Sequence, residues 1–228
     1  LVQFERARAA HALGDAKAAA RAVRSFSELV NGHRTIGNVH TGVFLAQLTA
    51  EAGDVPAALR VLRAARALEP GVGDPLLAQL LEMTGDLQAA EKVLTKLIER
   101  YPGQRSFYGQ LARVRLTAGH RLPAMRALEA SLKIGCSTPG KCGYRAPDVG
   151  VVRPLATLYL EEGVDSDRGL ELADQARGLV EKPGWDDLYL AALAARRRGD
   201  PAAADIISRL RANTPEGPLA ERVATYLA

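Results

Sequence analysis

The sequence predicts an all-α protein, a solenoid in which helical hairpins follow one another along the chain. Three observations predict it. Glycine recurs at nearly regular spacing, at Gly14, Gly53, Gly85, Gly119, Gly163 and Gly199, and such self-similarity marks an array of supersecondary units. The apolar residues, 47% of the chain, are dominated by Ala and Leu, with only 5% aromatic; both are strong helix formers. Long Val/Ile/Thr alternations are lacking, so strands are not expected.

The clearest unit runs from Gly53 to Pro70, GDVPAALRVLRAARALEP. Gly53 ends one helix and Asp54 caps the next. Pro56 falls in the first turn, where its missing N–H has no intrahelical partner to lose. Ala58, Leu62 and Ala65 share one face at spacings of four and three, and Pro70 closes the unit. Similar triplets follow other glycines: Ala90/Leu94/Leu97, Ala124/Leu128/Ser131 and Gly169/Ala173/Ala176. Ala19 and Ala204 stand at the first small position of the first and last units. Ahead of the glycines lie Leu45-Ala46, Leu77-Ala78, Leu111-Ala112 and Leu155-Ala156, with Ala191-Ala192 in the last unit. Small side chains at these points let paired helices approach closely. A single hairpin cannot bury its apolar face, so stacked neighbours must do so.

In chain order, a first helix is expected from near Val2 to Gly14 and a second from Asp15 to about Val30. Asn31-Gly32 then opens a loop that stretches the first step between glycines to 39 residues; the later steps are 32, 34, 44 and 36. Asp74-Pro75 reads as a cap with a first-turn proline. Leu87–Arg100 is amphipathic and ends at Tyr101-Pro102-Gly103, and Leu122-Pro123 again sets proline in a first turn. Gly135–Gly150, GCSTPGKCGYRAPDVG, is too rich in Gly and Pro for regular helix. This insertion lengthens its unit to 44 residues, and helical patterning resumes at Val151. Pro183-Gly184 separates the last two units, and Asp200-Pro201 is expected to start the final second helix. After Gly217, Pro218 opens one more helix, with Leu219, Val223 and Leu227 on one side. That helix is expected to cover the open end of the stack.

These marks resemble the tetratricopeptide repeat family, most strongly over residues 42–134. The family unit of about 34 residues pairs two helices around such a glycine and small–large–small spacing; Pro70 and Pro102 match its closing proline. The family's Trp early in the first helix is missing, and its Tyr survives only as Tyr159. The resemblance implies a right-handed α-solenoid of about six hairpins plus a C-terminal capping helix, one domain over residues 1–228. It also implies that first helices line a concave groove. Mapped by register, that lining is Arg8, His11, His40, Gln47, Gln79, Gln110, Arg113, Arg153, Thr157, Tyr189 and Arg196. It is polar and mildly basic, which suits an extended or acidic peptide. The paired Asn and Lys/Arg of the family's carboxylate clamp are not reproduced.

Charge excludes less than it suggests. The net charge is +4, with 30 basic and 26 acidic residues interleaved, a pattern of solvated helix faces rather than a nucleic-acid stripe. Arg196-Arg197-Arg198 stands at a helix C-terminus, where the dipole favours cations. Glu161-Glu162 and Asp186-Asp187 sit near helix ends, and only the second pair gains from the dipole. Trp185 reads as a core or interface anchor. No apolar run approaches the roughly 18 residues of a membrane span. The start at Leu1 rather than Met is expected of a fragment or processed product.

No Walker A loop, dinucleotide-binding glycine turn, His-Glu-x-x-His or Gly-x-Ser-x-Gly occurs. His11, His33, His40 and His120 are scattered. No catalytic residue, metal site or cofactor is expected. Cys136 and Cys142 are the only cysteines, and a Pro139-Gly140 turn lies between them. A local disulfide in an oxidising compartment is the favoured reading. Free thiols in a cytoplasmic loop and a metal site lacking further ligands are the alternatives. The expected function is a non-catalytic protein–protein interaction scaffold or adaptor. It would hold a protein or peptide partner through the groove or the Cys loop, in a periplasmic or other extracytoplasmic assembly. The second expectation is an accessory region of a larger enzyme or membrane-anchored protein.

Overall fold

The computed structural model describes residues 39–134 and 148–227, the short stretches 136–138 and 141–142, and positions 9, 10, 18, 21, 22 and 25. Most of the expected first two helices, the turn at Gly14, Ala19, the Asn31-Gly32 loop, and the groove positions Arg8 and His11 lie outside the described residues. Every long element is helical. Within each of its compact units the helices form antiparallel hairpins stacked in chain order, as in an α-solenoid.

The chain divides into two compact units, Leu1–Pro102 and Gly103–Ala228. In the first, α1 (Val39–Glu51) pairs with α2 (Val55–Leu68), and α3 (Asp74–Met83) pairs with α4 (Leu87–Arg100). Helix α3 packs on both members of the preceding hairpin. Ala22 joins Leu45 and Leu48 in a buried cluster flanked by Phe44 and Val61. In the second unit, α5 (Arg105–Thr117) pairs with α6 (Arg121–Lys133), α7 (Val149–Glu162) with α8 (Ser166–Gly178), and α9 (Trp185–Arg198) with α10 (Ala203–Ala212). The last helix, α11 (Pro218–Leu227), packs on α9 and α10.

The sequence marks do what their chemistry requires. Gly53, Gly85, Gly119, Gly163 and Gly199 all turn the chain with φ between 65° and 88°, a region open to glycine at no steric cost. Asp54, Asp86 and Asp165 accept from the backbone N–H groups of Ala57, Ala89 and Arg168 at 3.0, 3.2 and 3.0 Å, satisfying donors at helix starts that have no intrahelical partner. The small–large–small triplets are buried throughout: Ala58, Leu62, Ala65, Ala90 and Leu94 are fully enclosed. Gly169 takes the small position because a Cβ there would meet Leu160 Cδ2 at 2.9 Å. Val223 and Leu227 of α11 are buried, as a covering helix requires.

Several local expectations are corrected. Asp74 lies inside the first turn of α3, with Gly73 as the cap residue, and its carboxylate pairs with Arg66 of α2. Asp200-Pro201 does not start α10. The Asp200 carboxylate accepts from Ala202 N–H in a turn, and the helix begins at Ala203. The register therefore slips by one: Ala204 is exposed, and Leu210 is the buried residue. Asp148 caps α7, so helix returns at Val149 rather than Val151. Strands were not expected, yet Cys136–Thr138 (β1) and Lys141–Cys142 (β2) form an antiparallel ribbon.

Candidate partner-binding site

The first helices repeat one local pattern. An apolar residue and an alanine turn inward, and the next residue turns the other way. Ala46, Ala78 and Ala112 are almost wholly buried, and the residues that follow them, Gln47, Gln79 and Arg113, are exposed. Helical geometry explains this, since each step rotates the side chain by about 100°. Gln47 donates to Glu51 one turn on at 3.1 Å. His40 is exposed at the start of α1, and Gln110 is half-buried on α5.

The later candidates sit differently. Thr157 follows Ala156 in the same pattern but is only 6% exposed, and its hydroxyl donates to the Arg153 carbonyl at 2.9 Å. Arg153 is half-buried and reaches across to α9, where it pairs with Asp187 at 3.0 Å and Asp186 at 3.8 Å. Tyr189 is 1% exposed. The Trp185 ring stacks on it at 5.1 Å between centroids, and Trp185 Nε1–H donates to Thr214 Oγ1 at 3.0 Å. Arg196 is exposed and donates to the Tyr226 carbonyl of α11 at 3.0 Å.

Tyr189 belongs to a polar network that the sequence did not reveal. Its hydroxyl donates to Glu161 Oε1 at 2.6 Å, and Arg222 Nε of α11 donates to the same oxygen at 2.6 Å. Arg121 at the start of α6 donates to the other oxygen, Oε2, and to Glu162. The Arg222 guanidinium also lies 4.9 Å over the Tyr189 ring, and that of Arg121 lies 5.7 Å over Tyr226. The Glu161 side chain is fully buried, while Arg121 and Arg222 keep 31% and 34% of theirs in solvent.

Burial alone raises a carboxyl pKa. Here the hydrogen bonds from Arg222, Tyr189 and Arg121 outweigh it and hold Glu161 below its ordinary value. Burial, and then the Glu161 charge, push the Tyr189 hydroxyl up, so it stays a neutral donor. This arrangement is an anion held by three donors from three other helices. It reads as a clasp between the hairpins of the second unit. One sequence signal could have exposed it: two glutamates sit in the last turn of α7, where the helix dipole disfavours anions, and so require cationic partners.

The arginine run is likewise committed internally. Arg197 donates to the Leu160 carbonyl at 2.9 Å, and Arg198 pairs with Asp174 at 2.6 Å. Among the described residues there is no cluster of His, Cys, Asp and Glu able to hold a metal, and no helix long and apolar enough to cross a membrane. In the ribbon, Cys136 and Cys142 are directly opposed in register.

Comparison with known proteins places this geometry. Residues 49–114 match the model of the tetratricopeptide repeat. The fold is similar to that in a structure reported as the functional characterization of pilF from Pseudomonas aeruginosa, with a TM-score of 0.71, 15% identity, and 98% of this chain and 95% of that one covered. It is also similar to PilW, described as a widely conserved type IV pilus biogenesis factor: TM-score 0.65, 16% identity, and 98% and 97% covered. A third similar structure is YrrB, described as having an unusual peptide-binding site, with a TM-score of 0.62, 12% identity, and 89% and 98% covered. No curated protein matches by sequence.

Proposed function

We propose that the chain is a non-catalytic scaffold that holds a partner protein or peptide against the exposed faces of its first helices, a reading supported by the tetratricopeptide-repeat match over residues 49–114 and by the similar folds of known structures. The observation that supports this is the set Gln47, Gln79 and Arg113. Each is an exposed polar side chain directly after a buried alanine. In the first unit Gln47 and Gln79 stand at one position of successive repeats, and such long polar side chains give hydrogen-bonding partners to a peptide backbone without dictating a single sequence; Arg113 holds the same position in the second unit. His40, Gln110 and Arg196 extend that surface within their own units. Thr157 and Tyr189 are buried and stand outside that surface; Tyr189 ties α9 to α7 through Glu161.

The proposal extends to the compartment. Directly opposed cysteines on antiparallel strands lie about 4.5–5.5 Å apart at Cα, inside the range a disulfide needs. A Cys136–Cys142 bond would persist only in an oxidising space, so an extracytoplasmic assembly is the setting proposed. The test is affinity capture from the source cell with the native chain and with Arg113→Glu and Gln79→Lys variants, followed by a binding isotherm for the captured protein. Retention by the native chain with at least tenfold weaker binding by the variants is expected. Equal binding by all three would remove the first-helix reading.

A further inference from the structure

A second surface, away from the first-helix positions, has its own chemistry. A pocket of about 440 Å³ opens between α6 and the α7–α8 turn, within the size range of ligand sites. Leu122, Met125 and Ala130 of α6 line one side, and Tyr159 and Val164 line the other. Leu122 and Val164 are 51% and 61% exposed. They are two of only three large apolar residues left exposed among the described residues of the second unit. Exposed apolar side chains gathered at one cavity mark an interaction site more than scattered ones do.

Charge at the mouth is one-sided. Three charged side chains line the pocket: Arg126, Glu129 and Lys133. Glu129 is already engaged, accepting from the Tyr159 hydroxyl at 3.0 Å and lying 3.7 Å from Arg168. Burial, followed by that carboxylate, pushes the Tyr159 hydroxyl up to about 12, so it remains the donor. Arg126 and Lys133 stay exposed. They are seven residues apart on one stripe of α6, which is about 10 Å along the axis at 1.5 Å per residue. A polyproline II segment covers about 9 Å in one turn of three residues, which brings side chains three positions apart back to one face.

We propose that this pocket binds a partner segment in polyproline II form, two acidic residues three positions apart engaging Arg126 and Lys133 while neighbouring apolar side chains of the segment fill the space beside Leu122 and Val164. Two carboxylates complement the two cations, and the apolar anchors cover the exposed floor. The site is separate from the first-helix positions: both cations lie on α6, a second helix, and none of its lining residues is among those positions.

The test is selection of a random decapeptide display library on the full chain, with isotherms for the recovered peptides. Enrichment of acidic residues three positions apart around Leu, Phe or Ile is expected. Binding should weaken at least tenfold in Arg126→Glu/Lys133→Glu and, separately, in Val164→Asp. Both changes are at exposed positions, and unchanged far-UV circular dichroism checks that the fold is kept. Arg113→Glu should bind these peptides like the native chain, which separates this site from the first-helix surface. Recovery of no peptide, absence of the acidic bias, or equal binding to the double variant overturns the proposal. So does a pocket that instead retains vesicles of anionic phosphatidylglycerol through the same two cations.

Discussion

Gly169→Ala should destabilise the protein, although alanine is the better helix former. Two effects oppose each other. In a helix interior, replacing glycine by alanine gains about 0.5–1 kcal/mol from the entropy of the unfolded chain. Against it stands the crossing of α7 and α8. The new methyl carbon would lie 2.9 Å from Leu160 Cδ2, 3.0 Å from Tyr159 Cβ and 3.1 Å from Leu160 Cγ, where carbon atoms need about 3.5–4.0 Å. Leu160 could rotate, but a Cβ atom moves only with its backbone, so α7 and α8 must separate. Overpacking of this kind costs about 1–3 kcal/mol, and the net expectation is a loss of roughly 1 kcal/mol, up to about 2.5 kcal/mol.

The same helix supplies its own control. Gly178 has nothing within 4 Å of a built Cβ, so Gly178→Ala should be neutral or should gain up to about 1 kcal/mol. Urea unfolding followed by circular dichroism reads both. If Gly169→Ala proved as stable as the native chain or more so, close helix approach at the small positions would not be what organises the hairpins.

Ala90→Leu, at a fully buried position in the first unit, should cost about 1–3 kcal/mol by the same mechanism in the same urea assay. Glu161→Gln should cost about 2–3 kcal/mol, below the figure for a wholly buried pair because both arginines keep solvent contact. Glu161 is held below its ordinary value of 4.5, so its contribution is fully present above that pH and is lost as pH falls through the lower folded value. Urea midpoints measured from pH 7 down to 3 should therefore fall less steeply in Glu161→Gln than in the native chain. Thiol titration of denatured, unreduced protein from its native source should find no free thiol, and reduction should cost about 2 kcal/mol for so short a loop.

The sequence made the hairpins legible because their determinants are local. A glycine at a turn, an aspartate one residue later and alanines four or three residues apart act within one or two helices, and Gly53 through Ala65 folds as that reading requires. Register failed where local signals competed. Pro201 reads as helix-opening, but Asp200 instead closes a turn onto Ala202, which carries Ala204 to the surface. The ribbon is illegible in the sequence because Gly and Pro argue against helix without arguing for pairing between strands.

The clasp was illegible for a different reason. Arg121 and Arg222 lie 40 and 61 residues from Glu161, and only the stacking of hairpins brings them together. Mapping by register likewise placed Tyr189 and Thr157 among groove-lining positions, because a family register fixes the position on a helix and not the depth to which neighbours bury it.

Site-specific photo-crosslinking in the source cell tests the scaffold reading most directly. A benzophenone side chain at Gln79, on the exposed face of α3, should yield a discrete crosslinked partner. The same probe at Lys92, exposed on the second helix α4, should not. Crosslinking of equal yield from both positions, or from Lys92 alone, would contradict a scaffold that works through its first helices.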